Sequence, residues 1–433
     1  IQRRNVDPAL VEQDAGNAVR LRVFPVLPGA APRQLRIELA SLAERRACGW
    51  YAELPAGLLA KAEQLTVHIA GDVAPQASGL ALSHAKGQHF GSARKQAAPK
   101  PVSWCQPVAG GANTAQAFSA DVLGKPARFI ALPAGGTTVP RALPAEVEIV
   151  WDASLSMAQR PLARELALLR AYFKGRDATV QLQVLQHGQP STHRKVPVRG
   201  GDTTALEDWL RATPADGATD LSGWVPHATA AETLLFTDAV NTWPGGTPPQ
   251  PQRPVVVVSA GPGADPITAA ALARHGGQWI VLDGQTDEQA ARQLLGQGHR
   301  LLAGPADARG GWQMPSLVPQ RGALWACHLG VPAAGAAGQL RSRAPDGRVQ
   351  AVNPQGEPEP AADAAFWCAT WQAEALQANP LRHRGAITRL GKGLGLVTSE
   401  TSLLVLENDA DHVRHGILPA DRDGHMVPVL ILD

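Results

Sequence analysis

The chain has 433 residues, which suggests about three domains. Hydrophobic residues make up 44% and charged residues 18%, so a packed core is expected and disorder of the whole chain is excluded. The formal net charge of +2 argues against nucleic acid or a membrane surface as partner, and no apolar run is long enough to span a bilayer.

Residues 1–130 alternate between apolar and polar positions, which predicts strands with one buried face. The alternating apolar residues are Val19, Leu21, Val23, Leu35, Ile37, Leu39, Leu65, Val67 and Ile69. The basic stretch 78–101 predicts a loop or a weak hairpin. A Pro-, Gly- and Ala-rich stretch at 131–145 predicts a linker to the next domain.

Strands alternate with helices between residues 146 and 300. Short apolar runs predict strands at 147–151, 234–236, 255–258 and 279–282, and alternating apolar residues predict one at 180–185. Helices are predicted by the apolar face of Leu162, Leu166, Leu169 and Phe173, by a cap at Asp202 or Thr203, by Asp265 before Pro266, and by Thr286 with Gln289. This order predicts a doubly wound, mostly parallel sheet covered by helices on both faces.

Residues 301–433 predict a β-rich, mixed α+β region with one helix that carries Trp367 and Trp371 on one face, followed by a buried strand at 402–406. The four cysteines are Cys48, Cys105, Cys327 and Cys368. Two disulfides, each within one domain, and four buried thiols both remain open. No Cys-x-x-Cys is present, so a zinc site is not expected.

Oxygen-bearing side chains follow the first strand of the α/β part. Asp152, Ser154 and Ser156 form an Asp-x-Ser-x-Ser sequence, and Thr219 and Asp238 lie on two further loops that should reach the same edge of the sheet. Carboxylates and hydroxyls are hard ligands that suit Mg²⁺, Mn²⁺ or Ca²⁺. The alternative is structural, with Asp152 capping the following helix and both serines capping beside it.

The five residues, in this order and at these loop positions, resemble the metal-ion-dependent adhesion site of von Willebrand factor type A domains, over about residues 147–298. The resemblance implies that Ser154, Ser156 and Thr219 bind the metal, preferably Mg²⁺, directly. It implies that Asp152 and Asp238 act largely through water. One coordination position would remain for an Asp or Glu of a protein partner.

Two positions depart from the pattern of that family. Ala218 and Ala239 stand where the family often has glycine. Neither change removes a ligand, but both are expected to stiffen or reshape a loop that must fit around the ion.

The flanking segments resemble a second family. Residues 3–12 and 23–29 are similar to the second half of a VIT domain, the β-sandwich-like module of vault and inter-alpha-trypsin-inhibitor heavy-chain proteins. Residues 395–407 resemble the segment after the A domain in bacterial members. The resemblance implies a chain that begins inside the VIT domain, whose missing N-terminal segment could be present as a separate piece. It also implies a bacterial envelope or secreted protein.

No enzyme is expected, because the sequence has no Gly-x-Ser-x-Gly, no His-Glu-x-x-His and no phosphate-binding loop. The Gly-rich stretches 261–263 and 391–393 do not match the phosphate-loop pattern. The main hypothesis is an adhesion-type module that binds a partner carboxylate through Mg²⁺. The alternative is an assembly scaffold with a vestigial metal site, and a hydrolase in the C-terminal part ranks last.

Overall fold

The structure is a computed structural model. It describes residues 9–13, 19–23, 42–54, 64–70, 76–78, 81–85, 88–94, 102–107, 115–134, 138–186, 192–243, 248–249, 251–261, 263–273, 275–302, 312–314, 322–330, 339–354, 358–377 and 380–405.

The elements are numbered in chain order. The first 145 residues contain the strands β1 (Ala9–Gln13), β2 (Val19–Val23), β3 (Glu44–Arg46), β4 (Gly49–Leu54), β5 (Gln64–Ala70), β6 (Gln76–Ser78), β7 (Ser83–Ala85), β8 (Gln88–Arg94), β9 (Val102–Gln106), β10 (Gln116–Val122), β11 (Lys125–Pro133) and β12 (Val139–Pro140). The next part contains β13 (Glu146–Asp152), α1 (Leu162–Phe173), β14 (Ala178–Leu185), β15 (Thr192–Val198), α2 (Thr204–Ala212), β16 (Thr233–Phe236), β17 (Val255–Ser259), α3 (Pro266–Leu272), β18 (Gln278–Val281) and α4 (Asp287–Leu295). The last part contains β19 (Gly296–Gln297), β20 (Arg300–Leu302), β21 (Trp312–Gln313), β22 (Ala323–Leu329), β23 (Arg341–Arg343), β24 (Val349–Ala351), β25 (Glu359–Pro360), α5 (Ala362–Gln377), α6 (Pro380–Leu394) and β26 (Leu403–Val405).

The chain forms two compact units, each built from separated segments. The first unit comprises Ile1–Glu38, Ala145–Thr286 and Ala369–Asp433, and the second comprises Leu39–Pro144 and Asp287–Cys368. The predicted domains were contiguous, at 1–130, 146–300 and 301–433, with a linker at 131–145. Each unit of the structure instead combines segments that lie before and after the α/β part in the sequence.

The first unit contains a six-stranded sheet in the order β15-β14-β13-β16-β17-β18. All neighbours are parallel except β15, which runs antiparallel to β14 at the edge. The predicted α/β, mostly parallel sheet is confirmed. The edge strand β15 was not predicted, and its Pro197 is tolerated because an edge strand has one free side.

Burial explains why these segments form the centre of the sheet. Every residue of β17 is buried, and β13 is buried from Val147 to Asp152, so both faces of these strands are covered. The apolar face of α1 is buried at Leu166, Leu169 and Phe173, as its spacing predicted. The sheet is therefore a rigid support for the loops at the carboxyl ends of its strands.

A second, three-stranded sheet of this unit has the order β2-β1-β26. The two terminal segments with a family resemblance therefore meet, because β1 pairs with β26. The VIT resemblance lies largely outside the described residues, of which segments 3–12 and 23–29 contain only 9–12 and residue 23. The predicted strand at Leu35, Ile37 and Leu39 also lies outside them.

The predicted C-terminal helix with Trp367 and Trp371 is α5, and a second helix that was not predicted, α6, follows it. Gly385, Gly391 and Gly393 give α6 a low intrinsic helix propensity, which hid it from sequence analysis. Packing explains Gly391, since a Cβ atom there would lie 2.3 Å from the Thr401 hydroxyl oxygen. The Gly-Lys-Gly stretch is therefore helical and forms no phosphate-binding loop.

The second unit consists mainly of small sheets. Their strand orders are β21-β22-β11-β10-β25, β3-β4-β9-β6, β5-β8-β7, β20-β23-β24 and β12-β19. The basic stretch 78–101 contains the hairpin of β7 and β8. The stretch predicted as a linker contains the end of β11 and also β12, which pairs with β19.

Disulfide bonds join all four cysteines. Cys48 is bonded to Cys105, and Cys327 in β22 is bonded to Cys368 in α5. Both bonds lie within the second unit. Of the two alternatives left open by the sequence, the structure has the disulfides.

Candidate metal centre

The five predicted residues lie at the carboxyl edge of the six-stranded sheet. Asp152 is the last residue of β13, and Asp238 follows the end of the adjacent parallel strand β16. The chain leaves β13 towards β14 on one side and returns to β16 on the other. Such a reversal of strand order opens a crevice between two loops, where open α/β sheets commonly bind ligands.

Three hydroxyl groups from two loops form a short chain in this crevice. The Ser154 Oγ atom lies 3.1 Å from the Ser156 Oγ atom and accepts a hydrogen bond of 2.8 Å from Thr219 Oγ1. Ser154 and Thr219 are buried, while Ser156 is exposed. The structure therefore brings the three predicted hydroxyls together, in a line that reaches the surface.

The Asp152 carboxylate is completely buried beneath these hydroxyls. Its Oδ1 atom accepts a hydrogen bond of 2.9 Å from the Ser154 N–H, and its Oδ2 atom accepts one of 2.6 Å from Thr237 Oγ1. Burial raises the pKa of Asp152 and the nearby Asp238 carboxylate adds to the rise, while the two hydrogen-bond partners oppose it. The next helix in the chain is a 3-10 helix at Leu155–Gln159 with Ser154 as its N-cap residue, and the Ser154 side chain forms no capping hydrogen bond, so the predicted capping arrangement is not seen.

The loop after β16 has a strained backbone. Ala239 is fully buried and has a φ of +57°, in the left-handed region that favours glycine. Alanine at position 239, which the sequence analysis expected to reshape this loop, thus adopts a backbone conformation that glycine adopts more easily. Thr237 stabilises the conformation by accepting the Ala239 N–H at 2.9 Å, and Asp238 Oδ1 accepts the Val240 N–H at 3.0 Å. Sequence analysis missed Thr237, which belongs to no recognised motif.

Backbone hydrogen bonds tie the three loops together. The Leu155 N–H donates to the Gly217 carbonyl oxygen at 2.9 Å. The Thr219 carbonyl oxygen accepts from the N–H groups of Thr242 and Trp243 at 3.1 and 3.0 Å, and its own N–H donates to Thr242 Oγ1 at 2.8 Å. The oxygen atoms are consequently held in place before any ligand arrives.

Arg160 supports the first loop without neutralising its carboxylate. Its guanidinium lies 3.5 Å from the centre of the Trp151 ring and donates to the Asp152 carbonyl oxygen at 2.7 Å. It also forms two hydrogen bonds, of 2.6 and 3.1 Å, with the buried Glu165 carboxylate. Glu165 therefore matches the charge of Arg160. Neither Asp152 nor Asp238 forms an ion pair with any described residue.

This donor set fits a hard divalent cation. Two carboxylates and three hydroxyls supply oxygen ligands only, and the Asp152 carboxylate is fully buried while Asp238 is half-buried. No group of three His, Cys, Asp or Glu side chains suited to a metal occurs within the described ranges.

A second pair of acidic residues adjoins the centre. The Asp265 N–H donates to the Asp238 carbonyl oxygen at 2.8 Å, and the Asp265 carboxylate caps α3 through the Ile267 N–H at 2.9 Å, which confirms the predicted cap. Glu374 of α5 is half-buried, and burial together with Asp265 raises its pKa to about 7. Sequence analysis did not single out Glu374, because its acidic neighbour Asp265 comes from a distant part of the chain.

Two apolar side chains flank the centre at the surface. Leu155, between the two serines, is 62% exposed, and Trp243, bonded through its N–H to Thr219, is 42% exposed. Exposed aromatic and aliphatic side chains beside a polar centre are typical of surfaces that contact other proteins.

Within the part of the chain that the structure covers, no helix combines the length and apolar character needed to cross a membrane.

Comparison with known proteins gives only distant likenesses. No protein-family model matches the chain, and no curated protein matches it. Among solved structures, an aerotolerance-related membrane protein from Bacteroides fragilis is 16% identical with a TM-score of 0.28, covering 35% of this chain and 98% of its own. A von Willebrand factor type A protein from Catenulispora acidiphila is 14% identical with a TM-score of 0.28, covering 65% and 87%. A pilus adhesin, SpaC, from Lactobacillus rhamnosus GG is 11% identical with a TM-score of 0.26, covering 55% and 47%. The fold is therefore defined by the strand order and register given above.

Proposed function

We propose that the α/β part of the first unit is a von Willebrand A-type domain whose carboxyl-edge crevice holds Mg²⁺ and binds a protein partner through it. One observation carries this proposal: two carboxylates and three hydroxyls converge from three loops, and no described cationic side chain pairs with either carboxylate. A buried negative charge without a counter-charge is costly, and a divalent cation would offset it.

Each residue would have a distinct role. Ser154, Ser156 and Thr219 present hydroxyl oxygens to the ion, while Asp152 and Asp238 supply the negative charge, largely through water. Thr237 and Ser154 orient the Asp152 carboxylate by their hydrogen bonds. When bound, Mg²⁺ would supply one coordination position for a carboxylate oxygen of a partner.

The partner would be a protein that presents an Asp or Glu on its surface. Leu155 and Trp243 beside the crevice would add apolar contacts around that carboxylate. Such contacts are the ones that usually provide affinity, while the acidic residue provides orientation and specificity.

Two wider proposals accompany this one. The two disulfides support a location in the bacterial envelope or outside the cell, where disulfides form and persist. The first 130 residues would include part of a VIT-like module, supported by the sequence pattern of 3–12 and 23–29 and by the pairing of β1 with β26.

The alternative function is an assembly scaffold with a vestigial metal site. The buried, left-handed Ala239 favours this alternative, because it strains the loop that must fit the ion.

Thermal unfolding of the full chain tests the proposal. The measurement compares EDTA with Mg²⁺, Mn²⁺ and Ca²⁺ for the parent, for Ser156→Ala and for Asp238→Asn, with Thr204→Ala at the exposed start of α2 as a matched control. A cation at 100 times its dissociation constant should stabilise the parent and the control by about 2.7 kcal/mol. Both site variants should lose this gain.

Ser156→Ala is the sharper variant, because its exposed hydroxyl can be removed with little effect on the metal-free fold. If none of the three cations stabilises the parent and Mn²⁺ titration shows no bound ion, the metal site is refuted and the scaffold remains. If metal binds but EDTA leaves partner binding unchanged, the metal does not mediate recognition.

A further inference from the structure

On one face of a small sheet of the second unit, every charged residue is basic. In the strand order β20-β23-β24, Arg300 lies opposite Arg343, and Leu302 lies opposite Arg341. Paired residues share a face and residues alternate along each strand. The face therefore consists of Arg300, Leu302, Arg341, Arg343, Val349 and Ala351. It contains three guanidinium groups and no acidic residue.

The register places like charges against one another. Arg300 and Arg343 are directly opposite, an arrangement that destabilises a sheet unless something compensates it. Arg141 reaches the same place, with its Nε donating to the Leu294 carbonyl oxygen at 2.8 Å. Burial lowers the pKa of Arg300, and the charges of Arg343 and Arg141 lower it further. The local charge is thus concentrated, although the whole chain carries only +2.

A neighbouring arginine shows what ordinary pairing looks like. Arg348, on the same β23–β24 hairpin, bonds the Asp346 carboxylate at 2.6 Å. Arg341 and Arg343 are exposed, and their side chains form no hydrogen bond or ion pair with any described residue. These two guanidinium groups are therefore open to a ligand from solution.

We propose that this face binds a phosphate or sulfate group, with the exposed guanidinium groups of Arg341 and Arg343 as its principal ligands and the positive charges of Arg300 and Arg141 beside them. Cross-strand neighbours lie about 5 Å apart and next-but-one residues of a strand about 7 Å apart, so one tetrahedral oxyanion can reach several guanidinium groups. Guanidinium forks bind such oxygens in pairs. A phosphate group carries close to two negative charges and offsets more of this cluster than one carboxylate would.

The test uses the full chain in EDTA, at constant ionic strength set with NaCl. The probes are inorganic phosphate and sulfate at millimolar concentration, where general salting-out effects are small. Thermal unfolding is followed for the parent, for Arg343→Gln and for the matched control Arg348→Gln. Both positions are exposed, so both variants should fold.

We expect the oxyanions to raise the melting temperature of the parent and of Arg348→Gln, with at least tenfold weaker apparent affinity in Arg343→Gln. Without oxyanion at low salt, Arg343→Gln should melt at or above the parent, because it removes a repulsion. Equal rises in melting temperature with phosphate and sulfate would show that the charge and shape of a tetrahedral oxyanion suffice for binding. A rise with phosphate alone would identify the ligand as a phosphate group. The proposal is overturned if neither probe exceeds NaCl, or if both variants lose the effect equally.

Discussion

The Glu374 carboxyl gives the strongest pH prediction. Its side chain is half-buried on α5, where burial and the Asp265 carboxylate raise its pKa from 4.5 to about 7. Ionising it therefore costs the folded state about 3 kcal/mol relative to the unfolded state. Glu374→Gln keeps the shape and removes the charge. We expect the variant to gain up to about 3 kcal/mol over the parent at pH 8, compared with the same difference at pH 4.

The direction follows from proton binding. Between pH 4.5 and about 7 the folded parent holds a proton on Glu374 that the unfolded chain has lost, so the parent loses stability as pH rises through this window. Above this window the cost is constant. Other carboxyl groups are common to both proteins, so the difference between variant and parent isolates Glu374. An amide left without a hydrogen-bond partner would lower stability equally at every pH.

Urea unfolding, followed by tryptophan fluorescence in EDTA at several pH values from 4 to 8, measures this difference. Asp363→Asn, an exposed acid at the start of the same helix, is the matched control and should follow the parent. Parallel pH profiles for Glu374→Gln and the parent would refute the argument, because they would mean that Glu374 titrates alike in the folded and unfolded chains.

Three further predictions concern the metal centre. Ala239→Gly should leave the free energy of unfolding in urea nearly unchanged, because relief of about 1–2 kcal/mol of left-handed strain offsets the lost methyl group and the backbone entropy. The control Ala269→Gly in α3 should lower the free energy of unfolding by about 1.5–2 kcal/mol. Equal losses of stability in the two variants would contradict the strain argument. Thr237→Val should destabilise the folded chain by about 2–4 kcal/mol, since it removes the hydrogen-bond donor to Asp152 Oδ2 and the acceptor of the Ala239 N–H. It should also weaken Mg²⁺ binding in a calorimetric titration. An unchanged Mg²⁺ affinity would show that the bond from Thr237 to Asp152 is not needed for metal binding. Trp243→Ala should leave Mn²⁺ affinity and stability nearly unchanged but weaken partner binding in a pull-down, and an equal loss of Mn²⁺ affinity would assign the residue to the loop instead.

Local patterns accounted for most of the α/β part. The four valines of β17, the apolar face of α1 and the Asp265-Pro266 helix start depend on neighbours in sequence, and the structure has all three. The parallel order follows from strands that alternate with helices. By contrast, α6 contains three glycines, and the partner that explains Gly391, Thr401, lies beyond the end of that helix. Propensity could not predict that packing.

From the sequence alone, Asp152, Ser154, Ser156 and Asp238 could be expected at one edge of the sheet, because they lie at or just after the ends of parallel strands. Thr219 follows α2 rather than a strand, and its hydrogen bond to Ser154 is seen only in the tertiary structure. Only the tertiary structure decided what surrounds them. The bond of Thr237 to Asp152 and the basic face around Arg343 depend on register between segments far apart in the chain. Such contacts form when strands pair, and no periodicity along one segment encodes them.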